Sequence, residues 1–439
     1  MSRKRAIIKG TFILTAAGLA TRFMGFFYRI FLSHTFGEEG VGLYHLVFPV
    51  YALCFSLTCA GVETALSRCI AKRLARGQKK ETRTLLYTSL ILTVFFSCII
   101  TILLQRYASF IAGGFLKDSR CTDFLILLSY AFPFAAIHSC ISGYYLGMKE
   151  TRVPALSQLI EQSARILSVY LLYLIYRKQS LMPDISIAVA GLILGEIASS
   201  AYCICKIRGK SLFSRMPHLS AAAFLTHIRE LLPLSVPLTA NRVLLNILQS
   251  VESVSIPLCL QTFGMARSNA LSIYGVLTGM ALPCILFPSA ITNSVSVMLL
   301  PTVAEIQTLN NKKELTSIIE KCICSCVLLG SICCAFLLCF GDWAGNFLFH
   351  SSMAGRFITV LSWICPFLYT NNTLISIING IGKTHLSFFI NSASLIIRIA
   401  SVLYLIPLCG IYGYLWGLLA SQVFVFLVCL GYIYHYVHK

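Results

Sequence analysis

Residues 9–37, KGTFILTAAGLATRFMGFFYRIFLSHTFG, are long and apolar enough to cross a bilayer as a helix, yet they carry two arginines. On a helix, Thr11, Thr15, Gly18, Arg22, Gly25 and Arg29 follow one another at gaps of four and three, which puts all six on one side. The other sides are Phe, Ile, Leu and Met. A charge at bilayer depth costs several kcal/mol unless it faces protein or water, so this stripe belongs to an interior cavity or a helix–helix contact.

The pattern returns at residues 233–257, PLSVPLTANRVLLNILQSVESVSIP. There Ser235, Thr239, Arg242, Asn246, Gln249 and Ser253 keep the same gaps, with Glu252 beside the last of them. Two apolar helices, each with one arginine-bearing polar stripe, read as facing walls of one site.

Outside these stretches the chain has the composition of a helical membrane protein. Its 439 residues are 57% hydrophobic and 12% charged, with a mean hydropathy of +0.80. Spans are predicted at 8–33, 43–67, 85–105, 123–147, 155–176, 185–205, 233–260, 272–299, 316–340, 357–379, 386–407 and 412–436, about 12 in all. No cleavable leader is expected, so the first apolar run is read as a span. With the N-terminus inside, most Lys and Arg fall in cytoplasmic loops, above all in RCIAKRLARGQKKETR at 68–83, which predicts that both termini are cytoplasmic. The net charge of +19 then reflects topology and contact with anionic membrane lipids, not nucleic acid.

The chain contains 19 cysteines, nearly all within apolar runs, in CxC and CC pairs where zinc knuckles would need two CxxC pairs. They read as small helix filler, and neither a metal site nor a disulfide framework is predicted.

An internal duplication appears when the sequence is shifted by 233 residues against itself. Lys79-Lys80-Glu81 then meets Lys312-Lys313-Glu314; Ser129, Pro133 and Phe134 meet Ser362, Pro366 and Phe367; Gly147 meets Gly380, Thr151 meets Thr384 and Arg165 meets Arg398. The long connection KIRGKSLFSRMPHLSAAAFLTHIRE at 206–230 marks the boundary, giving an N-terminal six-helix lobe, 1–215, and a C-terminal one, 216–439. An even number of spans per copy makes the repeat parallel, with a pseudo-twofold axis along the membrane normal and a central cleft that rocking lobes would open to either side. Pro233, Pro237, Pro257, Pro283 and Pro288 are the expected points of bending.

Arg22, Arg29 and Arg242 have no acid three or four positions away on their own helices, and Arg68 lies at the inner end of the second span. Guanidinium groups stay charged and match phosphate oxygens with forked donors, so a cleft lined by them would attract a diphosphate. The substrate-binding set is therefore Arg22, Arg29, Arg68, Arg242, Asn246, Gln249 and Glu252. The alternative is that the arginines pair with Glu63, Glu196 and Glu252 across helices and serve packing. Glu161 and Arg165, four apart, are expected to neutralise each other, and His138 reads as a hydrogen-bonded structural residue or a proton relay. No HExxH, GxSxG or P-loop is present, so neither enzyme nor cofactor is predicted.

The opening 9–51 resembles the first two helices of the stage V sporulation protein B family, polysaccharide-biosynthesis exporters of the multidrug/oligosaccharidyl-lipid/polysaccharide superfamily. CAGVETALSR at 59–68 and VPALSQLIEQSARILSV at 153–169 are similar to that family's second and fifth helices. The resemblance implies an inward/outward-switching transporter of lipid-linked glycan precursors in the cytoplasmic membrane, related to lipid II flippases of the MurJ type. By motif position it points to Arg22, Arg29 and Arg68, and more loosely to Arg242. Two departures are visible: Glu63 stands where the second-helix motif commonly has proline, and twelve spans leave no extra helix pair for the lipid tail. The energy source is open between the membrane potential and a coupling ion. An ion-coupled drug or metabolite antiporter of the same superfamily and a non-transporting scaffold for envelope assembly are the competing readings.

Overall fold

The computed structural model describes residues 3–180, 183–209, 221–308 and 312–438. Among them every regular element is a helix: α1 (Arg3–Phe55), α2 (Gly61–Ala75), α3 (Lys79–Phe110), α4 (Cys121–Ser129), α5 (Ala131–Gly147), α6 (Arg152–Lys178), α7 (Ser186–Gly209), α8 (Ala221–Thr262), α9 (Arg267–Gly275), α10 (Leu282–Leu286), α11 (Ser289–Thr308), α12 (Lys312–Phe349), α13 (Ser352–Leu361), α14 (Cys365–Gly380), α15 (Thr384–Ala400), α16 (Ile406–Cys409) and α17 (Ile411–His438). Short π-helical turns at Ser56–Ala60, Ile111–Phe115, Val276–Ala281 and Ser401–Leu405 link several of them.

Among the described residues, nine helical runs are long and apolar enough to cross a membrane, ten with the pair α4 and α5, which bends by 43°. Twelve spans are expected, and two features of the helices account for the difference. The run Phe12–Ala75 has 64 residues and holds two of them; as one straight helix it would reach about 96 Å, some three times the hydrocarbon thickness. It breaks at Gly37, whose φ of 69° and ψ of −178° only glycine adopts readily, so the expected outer loop reduces to one non-helical residue. Helix α6 holds the expected span 155–176, but its Glu161 and Arg165 make it less apolar than the others.

By internal contact the chain divides into two compact units, Met1–Gly25 with Leu46–Ile247, and Phe26–His45 with Leu248–Lys439. The junction expected at 215/216 lies outside the described residues. In the first unit α2, α3, α5 and α7 pack together around Leu66, Ile70, Leu86, Ile141, Tyr144 and Tyr145. In the second, α11, α12, α14 and α17 pack around Leu299, Val303, Ile319, Leu374, Ile377 and Ile378. Each residue of the second set stands 233 positions after its counterpart in the first. The repeat therefore extends to which side chains build each core.

Candidate functional site

The first unit holds ionisable side chains in the interior of its spans. Glycines let the helices that carry them approach closely. A Cβ on Gly195 of α7 would sit 2.8 Å from the Glu161 carbonyl oxygen of α6, and one on Gly143 of α5 would sit 2.8 Å from the Glu63 carbonyl oxygen of α2. These approaches place Glu63, His138, Glu161 and Glu196 around a cavity of about 330 Å³, with Tyr51 and Ser142 also in its wall.

The charges are matched almost one to one. Glu161 and Arg165 form the expected in-helix ion pair. His138 Nδ1 lies 3.3 Å from Glu196 Oε2 and 3.2 Å from the Ser199 hydroxyl, and its Nε2 lies 3.0 Å from the Ser157 hydroxyl. Ser157 donates its proton to the Pro154 carbonyl and Ser199 donates to the Glu196 carbonyl, so both hydroxyls accept from the ring. Both ring nitrogens thus face acceptors. His138 and Glu196 form a histidine–carboxylate contact between α5 and α7. Tyr51 donates to Glu196 at 3.2 Å. Glu63 receives only the Ser139 hydroxyl, at 3.1 Å, and has no ion-pair partner among the described residues.

Four of the seven residues read as substrate-binding belong to this unit. Arg22, Arg68 and Arg242 are exposed and, among the described residues, form no ion pair. Arg242 reaches the Thr64 hydroxyl at 3.5 Å, and Arg68 is one helical turn beyond Thr64, so α2 and α8 bring these two cations to one neighbourhood. Asn246 donates to the Ala52 carbonyl at 3.0 Å and the Ser56 hydroxyl at 2.5 Å. Ser235 and Thr239 pack on Gly61, where no side chain would fit. Part of the α8 stripe thus packs its own helix against α2, leaving Arg242 exposed.

The other three lie in the second unit. Arg29 is half-buried beside Tyr44 and His45, and Gln249 is exposed. Glu252 is buried: Arg398 Nε lies 2.7 Å from its Oε1 and the Tyr414 hydroxyl donates to it at 2.7 Å. Glu252 therefore has a resident cation. Glu252 was weighed from the sequence as the partner of a stripe arginine; its partner is Arg398 instead. The signal was available, because Arg398 matches Arg165 in the repeat and an arginine inside a span requires an acid. Tyr414 and Tyr51 carried no such signal.

Carboxylate and imidazole atoms of His138, Glu161 and Glu196 lie within 4.8 Å of one another, a spacing a metal ion could use. Arg165 already occupies Glu161, and His138 and Glu196 already contact each other, so the donor set suits a divalent ion poorly.

Stage V sporulation protein B of Bacillus subtilis is 29% identical over 434 residues, covering 97% of this chain and 83% of that protein. Among solved structures, the inward closed conformation of a lipid II flippase MurJ superposes with a TM-score of 0.75 at 14% identity, over 96% of this chain and 87% of that one. The inward-facing conformation of a MATE-family multidrug resistance transporter gives 0.71 at 15%, over 96% and 94%. At such identities the structural likeness establishes the fold. The sequence match over residues 7–307 goes further and makes this chain a member of the polysaccharide biosynthesis protein family.

Proposed function

We propose that the protein is a multi-pass flippase of the cytoplasmic membrane that carries a lipid-linked, prenyl-diphosphate glycan or peptidoglycan precursor across the bilayer. The observation that carries this reading is the set Arg22, Arg68 and Arg242, exposed cations with no acid paired to them among the described residues. Unpaired guanidinium groups on apolar helices are costly, and a diphosphate headgroup would supply the missing charge with matching geometry. Family membership and the likeness to a protein named as a lipid II flippase support the substrate class. In this reading both termini are cytoplasmic, the lobes 1–215 and 216–439 rock about a central cleft, Arg29 and Gln249 join the headgroup contacts, and the prenyl tail stays in lipid. Asn246 and Glu252 then hold their helices in place behind the contacts.

The test is translocation of a fluorescent prenyl-diphosphate glycan in proteoliposomes. Arg22→Ala and Arg242→Ala should each lower the rate at least about tenfold with folding intact, the loss of one charge-assisted contact of roughly 1.5–3 kcal/mol. A cation exporter is the second reading, favoured by the carboxylates around the first unit's cavity. It prevails if the wild type exports a cationic dye and moves no lipid.

A further inference from the structure

The turn that follows α5 is built twice. At the 233-residue offset, Met148, Lys149 and Glu150 correspond to Ile381, Gly382 and Lys383. The same three backbone hydrogen bonds close both turns. Met148, Lys149 and Glu150 donate to the carbonyls of Tyr144, Leu146 and Tyr145, and Ile381, Gly382 and Lys383 donate to those of Ile377, Asn379 and Ile378, at 2.9 to 3.1 Å throughout. In such a helix ending the residue past the last turn is left-handed, and glycine is favoured there because it has no Cβ to clash. Gly382 meets that demand with a φ of 87°, whereas Lys149 holds a φ of 62° against the steric cost that glycine avoids. A lysine in this loop does not need the strained position. Lys383 stands one residue later, at a φ of −93°, and its charge serves the helix end and the membrane topology equally well.

The strained lysine stands at the head of a row of cations. Lys149 and Arg152, the first residue of α6, are exposed, and among the described residues neither forms an ion pair. α5 runs close along α2: a Cβ on Gly143 would sit 2.8 Å from the Glu63 carbonyl oxygen, and one turn later a Cβ on Gly147 would sit 2.7 Å from that of Ser67. Arg68 follows Ser67, and Arg242 reaches Thr64, one turn further in along α2. Lys149 and Arg152 thus lie at the rim, Arg68 at the level of Gly147, and Arg242 about 5 Å deeper. A Cβ on Gly10, near the start of α1, would lie 3.1 Å from the Thr151 side chain, so the rim is on the face where the chain begins, the inner one if the N-terminus is cytoplasmic. In the second copy Arg68, Lys149 and Arg152 become Pro301, Gly382 and His385. The scaffold therefore does not require these cations.

We propose that the turn between α5 and α6 is the capture station for the diphosphate headgroup, where Lys149 and Arg152 meet it at the rim before Arg68 and Arg242 take it up. The inference rests on the flippase reading and adds the path of entry to it. An exposed cation at a rim speeds the encounter with an anion without holding it tightly, because its field reaches about 10 Å at 0.1 M salt while water screens the contact itself. Glu150, exposed beside Lys149, offsets part of the turn's charge, so the rim holds a diphosphate less firmly than the guanidinium groups further in. Cations one turn apart keep the headgroup's charge compensated as it leaves water.

The test separates capture from transport. Purified full-length protein is placed in nanodiscs of zwitterionic phosphatidylcholine, and association of a fluorescent farnesyl diphosphate analogue is followed by stopped flow. At about 20 mM salt, Lys149→Gln, Lys149→Gly and Arg152→Gln should each associate about three- to tenfold more slowly than the wild type, with dissociation little changed and Lys149→Arg near the wild-type rate. At about 500 mM salt the rates should converge. Lys149→Gly also controls for folding, because Gly382 holds the same turn: its unfolding temperature should be no lower than that of the wild type. The proposal is overturned if Lys149→Gln and Lys149→Gly associate at the wild-type rate at low salt, if the slowing persists at high salt or appears equally in Lys149→Arg, or if the wild type does not bind the analogue. It is also overturned if replacing about a third of the lipid by phosphatidylglycerol erases the difference between wild type and Lys149→Gln, since the lysine then serves membrane phosphates. Lipid translocation is measured separately. A wild type that captures the analogue in this way but moves no lipid would sink the flippase reading and leave the capture station standing, whereas transport that depends on Arg242 with association indifferent to Lys149 would do the reverse.

Discussion

At the level of single residues, the two arginines that the repeat aligns solve one problem in different ways. Arg165 finds its acid one turn away on its own helix, and Arg398 takes Glu252 from α8 with Tyr414 as a third member. The in-helix pair was readable from the spacing of four, whereas the cross-helix pair depended on which faces of α8, α15 and α17 meet, which no spacing along the chain encodes. Glu252 is nearly inaccessible, with a side chain 4% exposed, so removing its cation strands a buried charge. Arg398→Met should cost about 3 kcal/mol, while Arg398→Met combined with Glu252→Leu should recover most of the loss, because an apolar pair avoids the desolvation of two ions. Thermal unfolding of the two variants in detergent checks this. A double variant no more stable than the single one would mean that Tyr414 and the surrounding packing, rather than charge balance, set the cost.

At the level of helices, the sequence located nearly every span, because runs of apolar residues bounded by Lys, Arg and Gly are a local signal. What it could not locate were joints made through space. The polar stripe of α8 was legible as a stripe, but its use was not: Thr239 and Asn246 turn out to fasten α8 to α2 and the turn before it, while Arg242 stays exposed. A second joint lies nearer the start of α8. Arg73, 6% exposed, donates to the Glu81 carbonyl at 2.9 Å and to His227 Nδ1 at 3.0 Å and forms an ion pair with Glu230, while His227 Nε2 reaches the Thr84 hydroxyl at 3.1 Å. One guanidinium thus joins the end of α2, the start of α3 and the first turns of α8. Arg73→Ala leaves several acceptors without their donor and should destabilise this corner by about 2–4 kcal/mol. Glu230→Gln keeps most of the contacts and should cost under about 1 kcal/mol. Hydrogen exchange separates the cases: backbone amides of 224–232 should open faster in Arg73→Ala and remain near the wild-type rate in Glu230→Gln. Equal protection in both variants would remove Arg73 from the joint.

At the level of the whole molecule, two copies of one scaffold have been given different chemistry, and the stability of each copy should depend on whether its charges balance. Glu63 and Ser296 occupy the same repeat position, each beside the α5 or α14 residue that its packing requires. Glu63→Ser removes the one carboxylate in its cluster without a paired cation and installs the residue that the matching position already tolerates. Its stability should stay within about 1 kcal/mol of the wild type or rise slightly. Ser296→Glu is the mirror change and should behave oppositely. It places a carboxylate among Thr373, Ser376 and Asn371, at a position 6% exposed, and the cluster has neither the histidine nor the acid–arginine pair of the first unit. A buried charge without a partner should cost about 3–5 kcal/mol, or fold only with the acid protonated, so that the loss shrinks as the pH falls. In that case stability is lost as the pH rises, since the carboxyl is held neutral in the fold and ionises freely when unfolded. Unfolding of both variants measured at pH 5 and 8 decides the matter: comparable costs at both positions would mean that the two units respond to volume and hydrogen bonding alone, and that the charge asymmetry between them has no energetic basis.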